Sequence, residues 1–282
     1  MVMLDKTLNI KGRLVSLKTP LVMGILNITP DSFYAGSRKQ SEASITQRIE
    51  QIISEGGDLI DVGGYSSRSD AAEVSPSEEM SRLEMALHIL YSHYPDLPVS
   101  VDTFRADIAR RCVEEFGAAI INDISGGELD KDMFSTVAEL RVPYIMMHMR
   151  GTPQTMQSHT DYSDMMGEMS LYFAERIKKL RLLGVNDIIL DPGFGFSKTL
   201  DQNYELMTRL REFSIFDLPL LVGISRKSMI YKFLGGTPAD SLNATSVLHT
   251  YSLLNGANIL RVHDVREAVE AVRIVGKLSS FA

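Results

Sequence analysis

Along this chain, short apolar runs repeatedly end in a residue that can hydrogen-bond or carry charge: Asn27, Asp61, Asp102, Asn122 with Asp123, His148, Asp191, Lys227, and Arg261 with His263. Their chemistry divides them. Asn122, Asp191 and Lys227 supply acceptors and donors suited to a planar heterocycle, and Asp102 stands near enough in strand order to join them. A carboxylate such as Asp191 accepts a forked pair of hydrogen bonds from a guanidine-like edge, and Phe194 and Phe196 just beyond it offer flat apolar faces. Arg261 and His263 lie two apart, so on a strand they project to one side and can both face an anion. Arg68, in the polar stretch after Gly64, can close over that anion. The amide oxygen of Asn27 suits a hard cation such as Mg2+, which completes its octahedron with phosphate oxygens and water. Any one of these residues alone could cap a helix. Their recurrence at strand ends is what points to a site.

The elements that must position them read as strands and helices in alternation. Strands are expected at Leu21–Asn27, Leu59–Gly64, Val99–Asp102, Ala119–Asp123, Tyr144–His148, Asp187–Asp191, Leu218–Ile224 and Asn258–Asp264. Between or after them, helices are expected at Ala43–Glu55, from Ser75-Pro76 onward, and at Ala106–Phe116, Lys131–Leu140, Asp161–Leu183, Asp201–Glu212 and Val265–Leu278. Alternation of this kind makes a parallel sheet with crossover helices. Eight strands with no Pro/Ser-rich linker predict one domain over residues 1–282, an α/β fold of (β/α)8 barrel type (a TIM barrel). Residues 1–20 read as an N-terminal β-hairpin, Leu8-Asn9-Ile10 and Leu14-Val15-Ser16-Leu17 around Lys11-Gly12-Arg13, that could plug one end of the barrel over 21–282. An open doubly wound sheet would carry a Gly-rich phosphate turn after its first strand, and Asn27-Ile28-Thr29-Pro30 is not one. In a barrel the strand ends converge on one face, where barrel enzymes keep their active sites. Met146-Met147-His148-Met149 offers soft metal ligands, but successive strand residues face opposite ways, so it reads as packing plus one site residue.

Bulk properties narrow the partners. A net charge of -7 and a pI near 5.4, with no Lys/Arg block, argue against a nucleic-acid surface. The start of the chain lacks a signal-peptide pattern and no apolar run reaches the roughly 18 residues of a membrane span, so a cytoplasmic location without membrane attachment is expected. The single cysteine, Cys112, lies on an expected helix face and reads as a packing residue.

With these residues assembled, the chain resembles the dihydropteroate synthases of folate synthesis. The resemblance rests on Met23–Phe33 (MGILNITPDSF), Asp61-Val62-Gly63-Gly64, Ser100-Val101-Asp102-Thr103, Ile121–Ile124, Asp191–Phe196 (DPGFGF), Ser225-Arg226-Lys227-Ser228 and Arg261-Val262-His263-Asp264, all in family order. It implies a homodimeric barrel that joins a dihydropterin methyl diphosphate to 4-aminobenzoate, releases diphosphate and uses Mg2+. By position it gives Asp102, Asn122, Asp191 and Lys227 to the pterin, with Met147 and Gly223 lining the substrate site. Asn27, Ser67, Arg68, Arg261 and His263 go to the diphosphate and its metal, and Phe196 and Ser228 to the aminobenzoate. The implied catalytic set is Asp102, Lys227, Arg261 and His263. Departures fall at Tyr34-Ala35-Gly36-Ser37, where the family usually has Ser-Asp-Gly-Gly, at Ser69-Asp70 in place of Pro-Gly, and at Ser197 in place of Gly. Altered aminobenzoate affinity or sulfonamide response is the expected consequence. A related barrel that passes a methyl group to a corrinoid protein would share the pterin-facing Asp and Asn, but it has no need of Lys227, Arg261 and His263.

Overall fold

The computed structural model describes residues 6–28, 38–66 and 73–281, with side chains from residue 42 in the first helix. The expected site residues Ser67 and Arg68, and the departures at Tyr34–Ser37 and Ser69-Asp70, lie outside the described residues.

Strands β1 (Thr7–Ile10) and β2 (Arg13–Ser16) pair antiparallel around Lys11 and Gly12. Both turn residues have positive φ, 50° and 79°, as a two-residue hairpin matching the strand twist requires. Leu8, Ile10 and the following Leu17 are buried in one cluster with Met23, Leu59, Ile120, Ile145, Ile189, Leu221 and Ile259, while Leu14 on the other face is exposed. The hairpin therefore seals the barrel end opposite the strand termini that carry the polar residues. Lys6 Nζ donates to Leu218 O at 2.7 Å, and Asn9 N to Asp187 Oδ1 at 3.0 Å, which ties it to the loops at that end.

Eight parallel strands follow: β3 (Leu21–Asn27), β4 (Leu59–Gly63), β5 (Val99–Asp102), β6 (Ile120–Asp123), β7 (Tyr144–Met147), β8 (Ile188–Asp191), β9 (Leu221–Val222) and β10 (Ile259–Val262). Their order is β8-β7-β6-β5-β4-β3-β10-β9, and a parallel bridge between Leu190 and Leu220 closes β8 onto β9. The two-residue alternation of a strand separates two cores. Val22, Ile60, Val62, Val99, Val101, Ile121, Met146, Leu190, Val222, Leu260 and Val262 face outward and pack in one cluster with helix residues such as Ile49, Leu83, Cys112, Phe173 and Val272. The alternate positions face inward. At the hairpin end these are Met23, Leu59, Ile120, Ile145, Ile189, Leu221 and Ile259. One inward step further on come Asp61, Asn122, Met147, Asp191, Gly223 and Arg261, so the barrel interior is apolar below and polar above. Each fully buried aliphatic side chain contributes about 1.5–3 kcal/mol, and the lower layer is the support on which the polar one rests.

The helices are α1 (Arg38–Ser54), α2 (Pro76–His93), α3 (Ala106–Phe116), α4 (Met133–Leu140), α5 (Met165–Leu182), α6 (Leu200–Thr208), α7 (Ser228–Leu234), α8 (Leu242–Leu254) and α9 (Val265–Ser279). Local signals set their ends. Ser75 accepts from Glu78 N ahead of Pro76, Thr199 and Gln202 form a reciprocal capping box, and Gly117 at φ 65° stops α3. The expected helix over Asp201–Glu212 instead breaks after Thr208 into a tighter 3-10 segment, Leu210–Phe216. The expected seventh strand shrinks to Leu221–Val222, because Pro219 has no N–H and meets the neighbouring strand only through its carbonyl, which accepts Leu190 N at 2.9 Å. Cys112 is buried on α3 and burial pushes its thiol up to about 12, which suits packing and not nucleophilic attack.

Candidate active site

The polar end of the barrel is built around Asp61. This carboxylate is fully buried on β4, and its Oδ2 accepts from Asn122 Nδ2 at 3.0 Å and from Arg261 Nε at 2.6 Å. Arg261 reaches past it to Asp102, whose Oδ2 accepts from Nη2 at 2.8 Å. Four strands, β4, β5, β6 and β10, thus contribute one connected network. Burial pushes the Asp102 carboxyl up to about 7, opposed by Arg261 and reinforced by Asp61, Glu79 and Asp123.

Across the mouth, Asp191 ends β8 and Lys227 precedes α7. The turn after Asp191 is shaped by Gly193 at φ 68°, whose N–H donates to Asp191 Oδ1 at 2.8 Å. Lys227 Nζ donates to Phe194 O at 2.5 Å and sits 4.7 Å from the centre of the Phe196 ring. Burial lowers its ammonium to about 8, with Asp191 resisting that shift and Arg261 adding to it. Burial raises the Asp191 carboxyl, and Lys227 opposes the rise. Phe196 belongs to a small apolar cluster with Ile124, Met147, Met149 and Met156, a surface suited to a flat aromatic ligand. Gly223 faces inward, and a Cβ there would lie 3.9 Å from Arg261 Cβ. Ser228, at the first turn of α7, is half-buried.

The third group is separate. Asn27 and His263 line one cleft with Arg48, Arg226 and Asp264, a cavity of about 420 Å³. His263 N donates to Ser225 Oγ at 3.1 Å, and its Nδ1 lies 3.2 Å from the same hydroxyl. With the hydroxyl donating to Nδ1, Nε2 carries the N–H; with Nδ1–H donating to the second lone pair of the hydroxyl, Nε2 is an acceptor. Burial, then Arg261, lower the imidazole to about 4, so His263 is neutral at pH 7, and in the first tautomer a donor. Arg48 of α1 donates to His263 O at 2.6 Å and to Ile25 O at 3.3 Å, bracing this corner.

A model of pterin-binding enzymes matches residues 23–263. The dihydropteroate synthase of Escherichia coli (strain K12) is 41% identical over 267 residues, covering 94% of this chain and 94% of its own. The chain belongs to the dihydropteroate synthases. The Yersinia pestis dihydropteroate synthase, solved in complex with a sulfonamide drug, is 37% identical with a TM-score of 0.90, covering 98% of this chain and 100% of its own. That of Xanthomonas albilineans, solved with 4-aminobenzoic acid, is 33% identical with a TM-score of 0.89, over 98% of this chain and 99% of its own. As a dihydropteroate synthase the chain is a transferase of folate synthesis with a (β/α)8 barrel.

Within this dihydropteroate synthase barrel, Asp102, Asn122 and Arg261 share one network, and Asp191, Lys227 and Phe196 one wall of the mouth. Arg261 and His263 make different side-chain hydrogen bonds, Arg261 to Asp61 and Asp102 and His263 to Ser225, while Arg261 still lies near enough to help lower the imidazole. Two strand-end residues face away from the mouth. Asp123 is held by Ser125, Gly127 N and the Tyr144 hydroxyl, and His148 packs outside the strand against Tyr172, with Lys198 Nζ 3.1 Å from its Nδ1. Ser197 adopts φ 45°, and its buried hydroxyl accepts from Arg150 N at 2.7 Å. Its side chain is thus directed at the neighbouring loop, so its replacement of the usual glycine acts on the turn that carries Phe196. Arg48 and the coordinating part played by Asp61 were not foreseen from sequence. Strand parity would have drawn attention to Asp61, whereas nothing in the helical pattern singles out Arg48.

Proposed function

We propose that this chain joins a dihydropterin methyl diphosphate to 4-aminobenzoate at the barrel mouth, giving dihydropteroate and diphosphate. The observation that carries the assignment of roles is the facing of Asp102, Asn122 and Asp191, all inward acceptors, by Lys227 and Arg261 over one apolar aromatic cluster. Asp191, Asp102 and Asn122 orient the pterin, with Lys227 supplying a cationic donor and Met147 and Gly223 its walls. Phe196 and Ser228 receive the aminobenzoate. His263, Arg261, Ser67 and Arg68 take the diphosphate.

The bond from the methylene carbon to the diphosphate oxygen breaks first, its electron pair leaving with the diphosphate. The electron-rich pterin spreads the resulting positive charge. Arg261 contributes charge and His263, in its Nε2–H tautomer, a neutral N–H to the leaving oxygens, and preorganised donors of this kind are worth about 3–4 kcal/mol each in a dry site. The lone pair of the aromatic amine then forms the new N–C bond to the methylene carbon, and the proton released from the resulting ammonium passes to water or to a diphosphate oxygen. Attack on a cation needs placement more than a strong base, so Phe196 and its cluster do the work of alignment.

Mg2+ fits this chain in one way. A Cβ on Gly63 would lie 3.4 Å from Asn27 Oδ1 and 3.8 Å from Asp102 Oδ2, so the glycine keeps space beside two oxygen donors. Among the described residues no group of three or more His, Cys, Asp or Glu could hold a metal. Asn27 would therefore hold Mg2+ together with substrate phosphate oxygens and water, and the ion would neutralise charge on the departing diphosphate.

Diphosphate release from the pterin substrate, measured with and without 4-aminobenzoate and with and without Mg2+, tests the reading. Release coupled to dihydropteroate formation supports it, and substrate binding without product under any condition sinks it. The Lys227 ammonium, lowered to about 8 among Asp191, Arg261 and Asp102, is charged below that pH and neutral above it. We expect kcat/KM for the pterin substrate to fall on the alkaline side of about pH 8, and the limb to vanish in Lys227→Arg.

The same reading takes the chain as one domain, a cytoplasmic protein and a homodimer that binds neither nucleic acid nor membrane. Among the described residues no helix is long and apolar enough to cross a membrane. Phe233 and Leu234 on α7 and Val247 and Leu254 on α8 are large apolar side chains exposed on successive helices, a surface suited to a second copy. Sedimentation at micromolar concentration should give a dimer that Val247→Glu weakens at least tenfold, and a native monomer would exclude it.

A further inference from the structure

We infer that Asp61 is a positioning residue that fixes which way the Asn122 amide faces, and thereby which ring edge the pterin subsite accepts; this rests on the assignment of Asn122 to the pterin. Asp61 cannot serve as a ligand contact itself. It is 0% exposed and lies opposite Ser100 on β5, one inward step below Gly63 and Asp102, which pair above it. Its Oδ2 takes both the Asn122 amide and the Arg261 guanidinium, while its Oδ1 is buried with no partner among the described residues.

The consequence follows from the inventory of donors. A side-chain amide has one donating and one accepting face, and rotation by half a turn about its last bond exchanges them. A carboxylate paired with a guanidinium offers lone pairs alone. Asn122 must therefore turn its NH2 to Asp61, and the Oδ1 is left for the mouth. Asp191 is likewise an acceptor, so the subsite presents acceptors from β6 and β8 to the N–H edge of a heterocycle and refuses a ring that brings an acceptor there. Arg261 keeps its second carboxylate partner, Asp102, at 2.8 Å, so its charge is not stranded when Asp61 is altered.

The test uses the full-length protein and a non-reactive ligand, 6-hydroxymethylpterin, with isosteres that each carry C–H where the pterin carries one ring N–H. Calorimetric affinities for the native protein should rank the parent at least 100-fold above one of these isosteres. In Asp61→Asn, where either amide face can turn to residue 61, that discrimination should shrink at least tenfold, by weaker binding of the parent, while KM for 4-aminobenzoate changes less than twofold. Asn122→Ala removes the lever, so adding Asp61→Asn to it should change the remaining discrimination less than twofold. Unchanged discrimination in Asp61→Asn, or an equal loss in the Asn122→Ala background, would overturn the inference. If Asp61→Asn does not fold, amide exchange on the native protein decides: the Asn122 NH2 signal, assigned by its loss in Asn122→Ala, should exchange at least tenfold slower than that of the exposed Asn186, and equal rates overturn the inference. A native protein that binds 6-hydroxymethylpterin equally with and without Asn122 would instead remove Asn122 from the pterin site, and the inference with it.

Discussion

Asp191→Asn is expected to lower kcat/KM for the pterin substrate by about 10²–10³, a loss of roughly 3–4 kcal/mol of transition-state binding. The carboxylate is buried at the end of β8 and one oxygen is already committed to Gly193 N at 2.8 Å. The other oxygen and the remaining lone pairs are what a guanidine-like ring edge would meet. An amide keeps the shape but loses the charge that Lys227 faces. If its oxygen stays on Gly193 N, its NH2 points at the ligand's own donors and leaves them unpaired in a dry site, which costs far more than a weakened hydrogen bond. Because the Gly193 bond can persist, the melting temperature should stay close to native. Steady-state kinetics in both substrates with a thermal melt check this. A change below threefold in kcat/KM would remove Asp191 from the pterin contact.

Gly193→Ala should be damaging for a different reason. At φ 68° an L-residue already pays about 1 kcal/mol, and the added Cβ would stand 2.1 Å from His148 O and 3.2 Å from His148 C. Those are backbone atoms where β7 ends, and His148 N is itself bound to Asp191 O at 2.9 Å, so they cannot yield independently of β8. The turn must move instead. With it would go the Asp191 orientation, the Phe194 carbonyl that holds Lys227, and the Gly193 and Phe196 carbonyls that accept from Lys198 Nζ at 3.1 Å. A destabilisation of about 3 kcal/mol corresponds to roughly 6–12 °C in Tm for a chain of this size, and activity should fall at least a hundredfold. Calorimetry and turnover on the purified variant decide it, and a native-like Tm would mean the turn has slack that its contacts do not suggest.

The barrel was legible because each strand combines an apolar run with a polar terminus, and that pattern survives the exact placement of every boundary. The inward placement of Asp102, Asn122, Asp191 and Arg261 at the polar end was readable for the same reason, since inward parity and position near the strand end coincide in each candidate. His148 and Asp123 share the position but have the opposite parity, and a shift of one residue is enough to send a side chain outside the barrel. The segment from Ser228 to Leu254 carries two helices that the sequence reading left without assignment. Helix α7 is only seven residues long, and α8 buries Thr245, His249 and Ser252 beside Leu253, so neither presents a clean apolar stripe. The sideways reach of Arg261 was not legible either, because a long side chain between one histidine and two carboxylates takes its direction from tertiary charge.

The closure of the barrel has a mechanical meaning. Where β8 meets β9, the sheet is held by the single bridge of Leu190 to Leu220, with Leu190 N on Pro219 O at 2.9 Å, whereas the other neighbours share ladders of two residues or more. Asp191 stands on one lip of that seam, and Lys227 follows the strand on the other. A ligand held by both acts as a clasp across the weakest joint of the cylinder, so occupancy of the mouth should damp opening along the whole length of the seam, and the Leu190 amide proton is the reporter placed to record it.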